Sequence, residues 1–295
     1  MTGHPDNSAR PSIDAAEAAA VLFAAFALTL LARFRFFSWP LTVDEGSYAY
    51  TAQWWFHGLT LYSNDLWFDR PQAIFLAYES GMRLLGGSTW AIRVWGACWA
   101  VGTTYGGYLI AFRLWGRRAA WASVVLSAIF CAAPNVEGFT ANAELFMLLP
   151  ATFSAYCLLT RRWAWAGLLA SCALLLKPSG LTAVILGVTW LACVRANRTD
   201  WLRFIIAAVP LPLVSVLHAA FTVGLRPYFG AIVMYRLGVN LASGYQPEGP
   251  AIDGWLRTAS VWGPLVLPAV AGLWRLRGRS LTFAGLWLAT SVLGV

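Results

Sequence analysis

The chain has 295 residues, of which 59% are hydrophobic and only 12% charged, and its mean hydropathy is +0.61. A soluble domain of this length needs a charged surface that such a composition cannot supply. The net charge of +8 does not form a nucleic-acid face, because the arginines fall in short clusters between apolar runs. Arg113, Arg117 and Arg118 form one cluster, Arg161 and Arg162 a second, Arg195, Arg198 and Arg203 a third, and Arg275, Arg277 and Arg279 a fourth. That is the pattern of cytoplasmic connections in a polytopic membrane protein.

A bilayer-crossing helix needs about 20 mostly apolar residues. In chain order this rule predicts spans at Ala18–Phe37, Trp90–Phe112, Ala119–Ala133, Leu145–Leu159, Trp163–Leu176, Gly180–Val194, Phe204–Val223, Ser260–Trp274 and Leu281–Val295. The fold class is therefore all-α: one transmembrane bundle of about nine spans over residues 1–295. Met1 to Ala15 is polar and no small-residue cleavage site follows the first run, unlike a cleaved secretory signal. The last run stops at Val295 without a polar tail, and the chain is expected to be truncated there.

With the arginine clusters inside, the N-terminus is cytoplasmic. Residues 38–89 then form the first extracytoplasmic loop, and Pro134–Glu144, Lys177–Ser179 and Gly224–Thr258 lie on the same side. Arg33 and Arg35 fall at the outer end of the first span, where they are expected to snorkel to the interface or meet an anionic headgroup. Tryptophans near the ends of runs, such as Trp90, Trp163, Trp201 and Trp262, suit an interfacial belt. Cys98, Cys131, Cys157, Cys172 and Cys193 have no metal-ligand spacing and read as small buried side chains. Gly102 and Gly106 form a GxxxG pair suited to close helix packing.

Helical spacing predicts two amphipathic helices in the first outer loop. The first, Glu45–His57, follows Asp44 as its cap, ends at Gly58 and lies on the membrane through Tyr48, Ala52, Trp55 and Phe56. The second begins at Pro71 and runs towards Leu85. Asp44, Glu45, Asp65, Asp69 and Arg70 share this loop in a chain poor in charge. Taken singly, Asp44 reads equally as a helix cap and Glu45 as a first-turn carboxylate. Glu144 reads as a helix N-terminal carboxylate and Lys177, the single lysine, as a snorkelling side chain. Their convergence on one side favours a site.

Three segments in this order resemble the GT-C superfamily of membrane glycosyltransferases, nearest to the protein O-mannosyltransferase and lipid A aminoarabinose transferase group. They are VDEGSYAYTAQWWFHG (Val43–Gly58), DRPQAIFLAY (Asp69–Tyr78) and LLLKPSG (Leu174–Gly180). The resemblance covers roughly the first 190 residues. It departs from the family at Arg70 and Gln72, where members often carry Lys and a second Pro; Arg keeps the charge and can grip phosphate through two nitrogens. Members are generally longer.

What the resemblance implies is an integral, multi-pass enzyme of a bacterial cell membrane. It would move a sugar from a polyprenyl-phosphate donor to a glycan, lipid or protein acceptor outside, with no nucleic acid partner and membrane lipids around it. It implies Asp44 and Glu45 as the catalytic pair, Asp44 being the general base. Arg70 and Lys177 would bind the donor phosphate, with Asp69 and Glu144 in support. No cofactor is expected and no metal site is assigned, although the acidic cluster leaves a divalent cation open. The rival readings are a transporter or flippase of a lipid-linked sugar, and a non-catalytic membrane subunit.

Overall fold

The structure is a computed structural model and describes residues 13–134, 137–235, 237–238, 272 and 278–293. The predicted span Ser260–Trp274, apart from Gly272, and most of the predicted outer loop Gly224–Thr258 lie outside these residues. Among the described residues every regular element is helical, apart from an isolated bridge between Leu61 and Leu66.

The elements run α1 (Ala15–Arg33), a 3-10 turn (Phe34–Phe36), α2 (Val43–Phe56), α3 (Ala73–Leu85), α4 (Thr89–Trp115) and α5 (Arg117–Phe130). They continue with α6 (Ala143–Leu159), α7 (Trp163–Leu176), α8 (Leu181–Cys193), α9 (Arg198–Ala208), α10 (Pro210–Thr222), α11 (Leu225–Phe229) and α12 (Gly278–Leu293). Polar side chains set many of the starts. Asp14, Ser88, Asn142 and Asn197 each accept a backbone N–H of the first turn of α1, α4, α6 and α9. Gly116, at φ +86°, lets α4 turn directly into α5 in a backbone region that other residues avoid. The predicted span Phe204–Val223 is divided between α9 and α10. Pro210 opens α10, where its missing N–H leaves no bond unmade.

Two helical stretches, Ala15–Phe36 and Arg198–Thr222, are long and apolar enough to cross a membrane. Both expose large apolar side chains: Phe23, Leu31 and Phe34 on the first, Ile206, Val214 and Phe221 on the second. Water is a poor partner for such a belt. The helices Ala143–Leu159, Trp163–Leu176 and Pro178–Cys193 are apolar but shorter.

Helix α4 packs against α1, α5 and α6; α6 packs on α7, α7 on α9, and α8 on α12. Gly102 and Gly106 do face a neighbouring helix. An added Cβ would stand 2.7 Å from Leu149 Cδ1 at Gly102 and 2.8 Å from Thr152 Cγ2 at Gly106, both on α6.

Three expectations for the first outer segment change. Helix α2 is not capped by Asp44. Thr42 is the cap: its hydroxyl accepts the Glu45 N–H while the Glu45 carboxylate accepts the Thr42 N–H, a reciprocal box that starts the helix two residues earlier. Pro71 is not in the first turn of α3 but precedes its cap, Gln72. The third change concerns the membrane-lying role of α2. Its Tyr48 and Ala52 join one buried cluster with Ile74, Phe75 and Tyr78 of α3, Ile92 of α4 and Phe146 of α6. The apolar stripe is divided: Tyr48 and Ala52 serve the protein's own core, Trp55 is partly buried against it, and Phe56 stays exposed.

This segment is also pinned to α10. The Gln72 amide donates to the Ser215 carbonyl at 3.1 Å, the Ser215 hydroxyl donates back to the Gln72 side-chain oxygen, and the Tyr228 hydroxyl lies 2.9 Å from Ser215 Oγ.

If the α4–α6 approach is as close as the glycines indicate, Gly106→Ala should destabilise by about 1 kcal/mol or more despite alanine's better helix propensity. Gly107→Ala meets only Ser127 Oγ at 3.6 Å and should be neutral or slightly stabilising. Thermal unfolding in detergent reads both variants. Equal shifts would contradict the close approach.

Candidate functional site

The charges of the segment 38–89 and its neighbours fall into two groups, buried and open. Glu45, in the first turn of α2, is fully buried and paired with Arg93 of α4, which is 1% exposed. Arg93 Nε lies 2.7 Å from Glu45 Oε1, and its Nη2 donates to Oε2 at 2.8 Å. The Ala141 N–H donates to Oε1 at 2.7 Å, and the Thr42 N–H and hydroxyl donate to Oε2 at 2.9 and 3.1 Å. A carboxylate has about four acceptor sites, and these donors occupy them. Glu45, expected as a catalytic partner of Asp44, thus has no face open to a substrate.

Arg93 also donates to the Pro40 carbonyl at 3.0 Å and lies 5.0 Å from the Phe139 ring centroid. The pair therefore ties the entry to α2, the start of α4 and the approach to α6 at one point. The Tyr78 hydroxyl of α3 adds a fourth element by donating to the Ala141 carbonyl at 2.5 Å. The sequence reading passed over Arg93. The signal was there: an arginine inside an apolar run requires an internal partner.

Arg33 is likewise not at the interface. It is 1% exposed and donates to the Cys131 and Gly138 carbonyls, so it holds the α5–α6 connection from α1. Arg35 remains exposed, with its guanidinium over the Phe36 ring.

The open group surrounds Tyr48. Asp44 is exposed on the first turn of α2 and has no hydrogen bond or ion pair among the described residues. Arg70 is 9% exposed, forms a 2.7 Å ion pair with Asp69 and lies beside the Tyr48 phenol. Burial pushes the Tyr48 phenol well above the ordinary tyrosine range, Arg70 pulls against that, and the carboxylates of Asp44 and Glu144 add to the push. Burial alone would lower the Arg70 pKa, but Tyr48 and Asp69 outweigh it, so Arg70 is held above the usual arginine value and stays a cation. The Arg70 Nε atom is buried with no hydrogen-bond partner among the described residues. Lys177, at the end of α7, pairs with Glu144 at the start of α6. Tyr48 thus feels the charges of Asp44, Arg70 and Glu144, and Glu144 in turn pairs with Lys177.

Two features hold Arg70 in place. The Tyr62 hydroxyl donates to the Arg70 carbonyl at 2.9 Å, and the Tyr62 N–H closes the loop onto the Leu66 carbonyl at 2.8 Å. Gly58, at φ +101°, ends α2 as expected and starts this return. The loop walls an open cleft of ≈ 550 Å³ against the α2 face formed by Val43, Gly46 and Ser47; Asp44 and Arg70 lie beside this lining, not in it. Tyr50, Trp67 and Phe68 supply aromatic faces, and Ser47, Thr51 and Asp65 supply polar atoms. Aromatic faces with hydroxyl and carboxylate groups can hold a polyhydroxylated ligand. No grouping of His, Cys, Asp and Glu among the described residues could hold a metal ion.

The Glu45–Arg93 pair generates a stability prediction. Arg93→Leu leaves a buried carboxylate without its cation and should cost about 3–5 kcal/mol, whereas Glu45→Leu combined with Arg93→Leu should recover part of that loss. A double-mutant cycle on thermal unfolding in detergent measures the coupling. Additive effects would mean that the two side chains act independently.

No family model, curated protein or solved structure matches the chain.

Proposed function

We propose that the protein is a multi-pass membrane glycosyltransferase of the GT-C kind, with its N-terminus in the cytoplasm and its site on the extracytoplasmic face. It transfers a sugar from a polyprenyl-phosphate donor to an acceptor hydroxyl or amide. The observation that carries this reading is the contrast around Tyr48. Asp44 is an exposed, unpartnered carboxylate, and Arg70 is a largely buried cation held beside the same phenol.

In the proposed reaction the acceptor O–H or N–H approaches the exposed Asp44 carboxylate from beside the cleft. Its heteroatom attacks the anomeric carbon, Asp44 takes the proton, and the carbon–oxygen bond to phosphate breaks. The polyprenyl phosphate leaves with the bonding electrons, and Arg70 offsets the charge that develops on it. One displacement inverts the anomeric centre and needs no protein nucleophile. Asp69 holds the Arg70 guanidinium, and Glu45 holds α2 so that Asp44 points outward. Lys177 is a second cation whose charge is shared with Glu144, which makes it a weaker phosphate ligand than Arg70.

The assay uses protein in liposomes with a synthetic polyprenyl-phosphate sugar. Asp44→Asn should leave thermal stability and donor binding near wild type, because the side chain has no partner to lose, while transfer falls by about a hundredfold or more. Arg70→Ala should weaken donor binding more than Arg70→Lys, which keeps the charge but loses the fork. Near-normal transfer by Asp44→Asn removes Asp44 from the mechanism. Movement of the carrier across the bilayer without any transfer by the wild type favours a flippase instead.

A further inference from the structure

The opposite end of the bundle carries a second polar cleft, remote in sequence from the Asp44 segment. Its volume is ≈ 530 Å³, and it lies between the start of α1, the second half of α4, the second half of α6 and the α6–α7 turn. Two cations line it: Arg113, in the last turn of α4, and Arg162, the cap of α7. Both are exposed, and neither side chain has a hydrogen bond or ion pair among the described residues. Their neighbour Arg117 differs, because it is committed to Glu17 at 2.6 Å, and the Tyr108 hydroxyl donates to the same carboxylate. That network neutralises Glu17 and leaves Arg113 and Arg162 as the unspent charges.

The rest of the lining is amphiphilic. Tyr105 and Tyr156 offer hydroxyls, and Leu109, Phe112 and Phe153 form an apolar wall. Asp14 is also present; one of its oxygens accepts the Glu17 N–H at 2.7 Å as the α1 cap, and the other is free to accept. Two arginines and one aspartate leave a net charge of +1. Guanidinium groups suit phosphodiester oxygens, a spare carboxylate oxygen suits a hydroxyl donor, and an apolar wall suits an acyl chain.

We infer that this cleft binds one phospholipid with a monoanionic phosphodiester and a hydroxylated headgroup, of the phosphatidylglycerol type. Arg113 and Arg162 hold the phosphate, Asp14 accepts from the headgroup hydroxyls, and an acyl chain runs along Phe112 and Phe153. The site rests on the membrane placement proposed above but not on the transfer chemistry, so failure of the Asp44 assay leaves it standing.

The experiment is native mass spectrometry of the protein released from micelles carrying equal phosphatidylglycerol, phosphatidylethanolamine and phosphatidylcholine. The wild type should retain one phosphatidylglycerol in preference to the others. Arg113→Ala with Arg162→Ala should lower that retained fraction at least tenfold without changing the thermal midpoint. The corresponding double Lys variant should retain an intermediate fraction. Arg118→Ala with Arg198→Ala changes two exposed arginines outside the cleft and should have no effect. Equal retention by the wild type and the double Ala variant overturns the site. An equal loss in the Arg118/Arg198 control reduces it to diffuse attraction and overturns it as well. Preference for phosphatidylethanolamine overturns the headgroup assignment, and displacement of the lipid by inorganic phosphate alone overturns the acyl-chain contact. Solubility without detergent overturns the membrane placement itself.

Discussion

Glu45 and Arg93 form an ion pair with almost no contact with solvent, and the geometry of this end of the helix bundle depends on it. Two opposite charges in such a place are stable only when their remaining hydrogen-bonding capacity is also met. Meeting that requirement recruits the backbone of Thr42, Pro40 and Ala141. The backbone amides and carbonyls bonded to the pair thereby fix the segments they belong to. The connection before α2 and the connection before α6 are held in place because a buried carboxylate and a buried guanidinium demand donors and acceptors from them. Arg33 repeats the device one helix away, on the Cys131 and Gly138 carbonyls.

Against that frame, the charges around Tyr48 are a different population. Glu45 has every acceptor site filled and is fully buried; Asp44, the adjacent residue, is exposed and has none filled among the described residues. Successive residues of a helix point about 100° apart. The core therefore claims one carboxylate of the pair and solvent the other. The Asp-Glu dipeptide is a division of labour set by helical geometry. It leaves its first member exposed because its second is anchored.

Much of the helix order was legible in the sequence because its signals are local. Apolar runs bounded by Arg, Asn and Gly yielded α4 to α8 to within a few residues, and Gly58 marked the end of α2. The capping box Thr42–Glu45 was also local, but Asp44 competes for the same role by chemistry alone, and only the backbone shows which oxygen takes the N–H. The partners of charges were not legible, because they are non-local. Glu45 finds Arg93 48 positions away and Ala141 96 positions away. Half of the stripe on α2 turns inward for a related reason. An apolar stripe specifies that something covers it, and Tyr48 and Ala52 are covered by α3 and α6 rather than by lipid. The grouping of Asp44, Arg70 and Glu144 was expected from side alone, and what the structure adds is that all three act electrostatically on the Tyr48 phenol.

The bridge from Gln72 to Ser215 and Tyr228 has a mechanical meaning. It is short, buried and reciprocal, so sliding α10 by one turn would strand several polar atoms at about 1–3 kcal/mol each. That cost makes α10 and the segment carrying Arg70 a single kinematic unit. The outer flank of α10, at Leu213, Val214 and Leu217, is a broad apolar surface. A displacement of α10 at that flank therefore reaches Gln72, two residues from the Arg70 cation, before it can be lost elsewhere in the loop.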